Sequence, residues 1–448
     1  MAAPPEAPRP RPGIGAAVAA AERQARRSLL RNHGGGHAPV SNLELFFDLV
    51  FVFAITQISG FLHHHLGLSG LIEGTVVFLA VWWVWMYTTW VTNWLNPDRL
   101  PVRILLIALM LGSLAMAVAL PDAFAEGHAN KALLFAGCYA GMQLGRSATV
   151  SWFFHRDKAP NTRNMVRISC WFAASLPLWI GGAVADGHIR LGMWLIALVI
   201  DYSGPFALYR VPGLGQSNTS DWNISGSHMA ERCSLFIIIA LGEGIVVTGG
   251  SFASEPITSV SIAALLAAFL TSVLMWWLYF DMGADRGARM IAGHAQVGRV
   301  ARNAYTYLHM PIVLGIIVFA VGDALVMEQA GETASHELVL VQTGGALLFL
   351  TGLGLFKRFS NTLGNFPMSH LIAVGGFIAL GVTAWLTPLS TLSIAHWGGA
   401  ILLLAAVCEW VSYHGGWAER AVAIGLPVPQ AMLDRAEARR ARVEARRG

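Results

Sequence analysis

Apolar residues fill this chain in long blocks of about 20–25 residues, each closed by a short polar, basic or glycine-containing stretch. Twelve such blocks can be drawn, at 43–63, 71–95, 101–120, 132–154, 165–185, 191–210, 229–250, 258–281, 303–326, 337–356, 367–387 and 393–414. As helices rising 1.5 Å per residue they are roughly 30–38 Å long, enough to cross a bilayer with some tilt. Backbone amides in lipid need partners within their own segment, so the blocks predict helices. The expected fold class is an all-α polytopic membrane protein of about 12 transmembrane helices.

Basic residues test that count, because they collect on the cytoplasmic side of membrane proteins. With the N-terminus inside, the inner connections hold Arg99 and Arg103; Arg156, Lys158, Arg163 and Arg167; Arg210; Arg286, Arg289, Arg299 and Arg302; and Lys357 and Arg358. The outer connections hold only Lys131 and Arg190, and carry Asp122, Glu126, Glu328, Glu332 and Glu337 instead. Arg146 and Arg232 fall within blocks. A multi-pass protein of the cytoplasmic membrane with both termini inside is therefore expected.

Composition agrees with the pattern. The 448 residues are 55% hydrophobic and 12% charged, whereas a soluble chain carries about twice that charge. The net charge of +4 is uneven: residues 1–42 and 418–448 are basic, and the part between them is acidic. Anionic lipid headgroups at the tails explain the basic pI better than nucleic acid does. No apolar signal segment is visible in residues 1–40, which are rich in Ala, Pro, Gly and Arg. Cys138, Cys170, Cys233 and Cys408 lie in apolar blocks and read as small buried hydrophobes, so neither a metal nor a cofactor is expected. Assembly of several copies is compatible with all of this.

The halves rhyme. Block 1 carries Phe51-Val-Phe-Ala-Ile-Thr-Gln57 and block 7 carries Ile237-Ile-Ile-Ala-Leu-Gly-Glu243. Trp85-Met-Tyr87 in block 2 matches Trp277-Leu-Tyr279 in block 8. Two six-helix repeats in parallel orientation follow, with a site between blocks 1 and 7. The domains expected are a basic, disordered cytoplasmic tail (1–42), a first half (43–210), a cytoplasmic linker (211–227), a second half (228–415) and a basic C-terminal tail or helix (416–448).

Ionisable groups inside such blocks are costly and point to pairing or function. Glu44 and Asp48 lie one turn apart on one face. Ser41-Asn-Leu-Glu44 also reads as a capping box; Asp48 could instead pair with Arg232 or Arg103. His228, Glu231 and Arg232 crowd one end of block 7, as an ion-paired cluster or a proton relay. Glu243 lies near mid-membrane between two glycines, which let a helix or an ion approach. Asp201 precedes the helix breakers Gly204 and Pro205, and Asp281 closes Trp276-Trp-Leu-Tyr-Phe-Asp281 at the inner interface. Trp83, Tyr87, Trp90 and Trp94 form one stripe, a cation pathway or plain packing. Gly137, Gly141 and Gly145 predict a close helix contact, and His63-His64-His65 a solvated run.

The stretches Glu44–Gln57, His228–Glu243 and Trp276–Asp281 resemble the bacterial low temperature requirement A family over most of residues 41–415. The resemblance implies an inner-membrane protein, with Glu44, Asp48, His228, Glu231, Arg232, Glu243 and Asp281 as motif positions. The family name records a growth requirement in the cold and supplies no activity. A looser likeness runs to two-by-six-helix potassium channels, through Phe47-Asp48 without their intervening Ser. The expected function is a secondary transporter or an ion- or proton-permeating protein. Asp48 and Glu243 would bind the ion or a small substrate, and Arg232 would balance charge. The alternatives are a membrane enzyme using these acids on a lipid or lipid-linked substrate, or a scaffold.

Overall fold

A computed structural model describes residues 28–31, 39–157, 159, 161–218, 225–281, 300, 302–360, 366–414, 421–422, 425–434 and 437–438. Among these the long elements are all α-helical: α1 (Asn42–His64), α2 (Leu68–Trp94), α3 (Leu100–Ala119), α4 (Ala129–Arg156), α5 (Thr162–Val184), α6 (Gly187–Ser203), α7 (Gly226–Ser254), α8 (Ser259–Tyr279), α9 (His309–Glu328), α10 (His336–Phe359), α11 (Met368–Leu386) and α12 (Thr391–His414).

Nine of these described helices, α1–α3 and α7–α12, are long and apolar enough to cross a membrane. The other three fall short for physical reasons. Lys131, Gln143, Arg146 and Arg156 dilute α4, and Arg163 and Arg167 dilute α5. With 17 residues, α6 is below the roughly 20 that a bilayer needs. It ends at Ser203, where Gly204 and Pro205 stop it, rather than running to residue 210.

The helix neighbours repeat in order. In the first six, α1 packs on α2 and α3, α3 on α4, α4 on α5, α5 on α6, and α6 on α2. In the second six, α7 packs on α8 and α9, α9 on α10, α10 on α11, α11 on α12, and α12 on α8. Contacts of α1 with α7 and α9 join the two sets. The centre is α9, buried at nearly every position.

Close helix approach occurs elsewhere than expected. Gly137, Gly141 and Gly145 are exposed along α4, and a Cβ at any of them would meet nothing within 4 Å. Spacing had marked a face of α4 but not what lies opposite it. Gly141→Leu is accordingly expected not to destabilise the protein and, by replacing a glycine in a helix interior, to stabilise it by up to about 1 kcal/mol; thermal unfolding of the purified protein in detergent checks this.

Other sequence expectations also shift. Among the cysteines only Cys233 is buried, and Cys138, Cys170 and Cys408 are half-buried; all four are free thiols. Arg190 is buried rather than solvated, donating to the Ala123 and Ala185 carbonyls and pairing with Asp186 at 3.2 Å. His63 pairs with Glu328 at 3.1 Å. Leu30 forms an antiparallel bridge with Leu95, so residues 28–31 are docked on the α2–α3 connection. The greater part of both basic tails lies outside the described residues.

Candidate functional site

Polar groups line the seam where α1 meets α7, at successive levels. At the first, Ser41 caps α1: its hydroxyl accepts the Glu44 amide at 3.3 Å, and Glu44 Oε2 accepts the Ser41 amide at 2.8 Å. Glu44 Oε1 is left to face α7, 2.8 Å from His228 Nε2 and 3.5 Å from Arg31 Nη1. The capping role and the ion-pair role are thus divided between the two oxygens of one carboxylate.

The ring of His228 is oriented by Asn93 of α2. Asn93 Oδ1 accepts the Ser225 amide at 2.9 Å, and its Nδ2 donates to the Ser225 carbonyl at 3.0 Å. That fixes the side-chain amide, so Nδ2, 3.2 Å from His228 Nδ1, is the donor there. Nε2 faces both Glu44 Oε1 at 2.8 Å and Arg31 Nη1 at 3.0 Å, so the ring sits between an anion and a cation. Arg31 also donates to the Thr92 carbonyl at 2.8 Å. Sequence reasoning missed Arg31 and Asn93, because a tail residue and a lone Asn in an aromatic helix carry no local signal of pairing.

One turn deeper, Asp48 Oδ1 lies 2.8 Å from Arg232 Nη2 and accepts Trp85 Nε1 at 2.8 Å. Arg232 donates from Nη1 to the Glu44 carbonyl at 2.8 Å and sits over the ring faces of Trp85 and Phe47. Both side chains are buried, and Asp48 Oδ2 and Arg232 Nε have no hydrogen-bond partner. Arg232, not Arg103, is the counter-charge; Arg103 is exposed beside Asp98.

Thr56 lies eight residues further along α1, about 12 Å. Its hydroxyl donates to Glu243 Oε2 of α7 at 2.7 Å, while Oε1 has no hydrogen-bond partner. Of the two flanking glycines, Gly244 lets α7 close on Ala320 of α9, and Gly242 faces open space. At the far end His63 meets Glu328, which Ser251 of α7 also approaches at 3.5 Å. From Glu44 to His63 the seam runs about 28 Å, close to the thickness of a bilayer's hydrocarbon core.

Three other candidates lie off this seam. Asp201 is buried among α4, α5 and α6, its Oδ2 accepting Tyr139 Oη at 2.7 Å and Trp179 Nε1 at 3.2 Å. Glu231 is half-buried beside Arg232 and is itself engaged. Asp281 is exposed just past α8. The structure adds one buried carboxylate, Asp323 of α9, which accepts Gln342 Nε2 at 2.8 Å and Thr271 Oγ1 at 3.2 Å. Its signal was a Gly-acid step, Gly322-Asp323, like Gly242-Glu243. Among the described residues no cluster of three metal-ligating side chains occurs.

Apolar helices that bury ionisable groups against one another define a multi-pass membrane protein. The chain belongs to the family of the bacterial low temperature requirement A protein (LtrA), whose model matches residues 39–407. It is also 38% identical over 384 residues to an uncharacterized protein of Rhizobium meliloti (strain 1021), covering 86% of this chain and 92% of that one. No solved structure matches it.

Proposed function

We propose that this protein is a secondary transporter or ion-permeating protein that passes protons or a small cation along the α1–α7 seam. Glu243 carries the reading. It is buried at mid-seam, bonded through one oxygen to a neutral hydroxyl, with the other oxygen unbonded. A carboxylate is expensive there and is retained where it binds or relays a cation. Glu44, His228, Asp48 and Arg232 stand at one mouth of the seam, and His63 and Glu328 at the other.

In this proposal all twelve long helices cross the cytoplasmic membrane, as two parallel six-helix repeats with both termini inside. The repeated order of helix neighbours and the sidedness of the basic residues support it. The basic tails would rest on anionic lipid.

The test is flux into dye-loaded proteoliposomes under proton, Na⁺ and K⁺ gradients, at matched amounts of folded protein. Glu243→Gln preserves shape and removes the charge, and flux is expected to vanish with the unfolding temperature little changed. Wild-type flux in Glu243→Gln would take the carboxylate off the path, and no flux from wild type under any gradient would sink the proposal.

A further inference from the structure

Away from the seam, a cleft opens between α2, α4, α5 and the turn that follows α6. The aromatic stripe of α2, Trp83, Tyr87, Trp90 and Trp94, forms one wall. Such rings could cradle a cation, but the protein places two of its own cations in the same wall, Arg146 and Arg302.

Neither arginine has an acidic partner among the described residues. Arg146 is 1% exposed. It donates to the Val84 carbonyl at 3.2 Å, to Thr88 Oγ1 at 3.3 Å and to Gln143 Oε1, all neutral. Its Nε has no hydrogen-bond partner, and its guanidinium lies 5.1 Å from the centre of the Tyr87 ring. Arg302 opens the π-helical turn Arg302–Tyr307 ahead of α9. It donates to the Pro205 carbonyl at 2.8 Å and to Asn303 Oδ1 at 3.3 Å, again neutral acceptors.

The cleft is held in shape by its neighbours. Trp90 Nε1 donates to Thr306 Oγ1 of the π-turn at 3.3 Å, and the hydroxyls of Tyr87 and Tyr209 are bonded to each other. Leu208 and Tyr209 both take left-handed backbone conformations, at φ 50 and 48. That is strained for side-chain-bearing residues, and such strain collects at functional sites.

We infer that this cleft binds an organic anion, a carboxylate or phosphate carried on an aromatic or apolar body. Two buried guanidinium groups with no acidic partner among the described residues are costly until an anion enters, and the planar fork suits both oxyanions. The indole and phenol faces would cover the rest of the ligand. The anion could be a free solute or the headgroup of an anionic lipid, since the chemistry is the same. This inference does not depend on flux along the α1–α7 seam.

Calorimetry on the full chain in phosphatidylcholine nanodiscs tests it, with 2-naphthoate, 2-naphthyl phosphate, neutral 2-naphthamide and benzyltrimethylammonium as probes. One or both anions should bind saturably, with the amide and the ammonium at least about tenfold weaker, as expected for loss of a charge-assisted bond. Arg302→Gln should weaken the anions by a similar factor and Arg302→Lys by less. Arg302 is the less buried of the two, 9% exposed against 1%, so this variant remains informative if Arg146→Gln does not fold. Replacing part of the phosphatidylcholine with phosphatidylglycerol separates the sources: displaced naphthyl anions identify a lipid headgroup, and undisturbed binding identifies a free solute. Equal affinity for 2-naphthamide, or tighter binding of the ammonium, overturns the inference. So does the absence of saturable anion binding together with equal retention of phosphatidylglycerol by wild type and Arg302→Gln.

Discussion

Arg232→Met is expected to destabilise the protein by about 3–5 kcal/mol, the cost of breaking a buried ion pair from one side. The variant leaves Asp48 buried against Trp85 without its cation, and α1 loses the donor to the Glu44 carbonyl. Removing both charges should be milder: the double variant Asp48→Leu/Arg232→Met exchanges a desolvated pair for apolar packing, which is often neutral. Unfolding temperature in detergent, measured for the two single variants and the double, decides this. A double variant no more stable than Arg232→Met would mean that Arg232 acts through its backbone and aromatic contacts rather than through Asp48. The same comparison bears on function, because a double variant that folds but conducts nothing would place the pair on the path and not merely in the fold.

The motif residues were legible because they break apolar blocks, and an ionisable group in lipid stands out at once. Glu44, Asp48, His228 and Arg232 do meet, and of the two partners the sequence offers Asp48, Arg232 or Arg103, the structure pairs it with Arg232. What could not be read was anything set by a distant segment. Arg31 reaches Glu44 only because residues 28–31 dock on the α2–α3 connection. Arg302 looked like an inner-loop charge and lies buried in the cleft wall, because the chain enters α9 through a π-turn. The α2 stripe was identified as a face, but periodicity does not say whether a face meets lipid, a helix or two arginines. The helix boundaries follow the apolar blocks to within a few residues except at the end of α6, where Gly204 and Pro205 stop the helix, and at the start of α9, which the π-turn Arg302–Tyr307 precedes.

The same limit applies to glycine, and it yields the second strong expectation. Gly315 of α9 and Gly345 of α10 bring two backbones into direct contact. A methyl group at Gly315 would lie 2.8 Å from the Gly345 carbonyl oxygen and from Phe349 Cα; one at Gly345 would lie 2.8 Å from Phe319 Cα and 3.0 Å from the Gly315 oxygen. The obstacles are backbone atoms, which no rotamer change can move, so the helices must separate. One heptad along each helix, Gly322 and Gly352 face Gln342 and Ile312, so small residues two turns apart keep the crossing close. Gly315→Ala and Gly345→Ala should each destabilise by about 1–3 kcal/mol, the usual cost of overpacking. Together they should cost less than the sum, since the first already parts the helices for the second. Gly344→Ala is the control, because a Cβ there meets nothing within 4 Å one residue away. Thermal unfolding of the four variants in detergent gives the answer. Gly344→Ala as damaging as Gly345→Ala would show that helix flexibility matters here, not the crossing. The crossing also bears on the seam, since α9 packs against α7 beside Glu243 through Gly244 and Ala320. A displaced α9 should therefore lower flux in Gly315→Ala even at temperatures where the variant is fully folded.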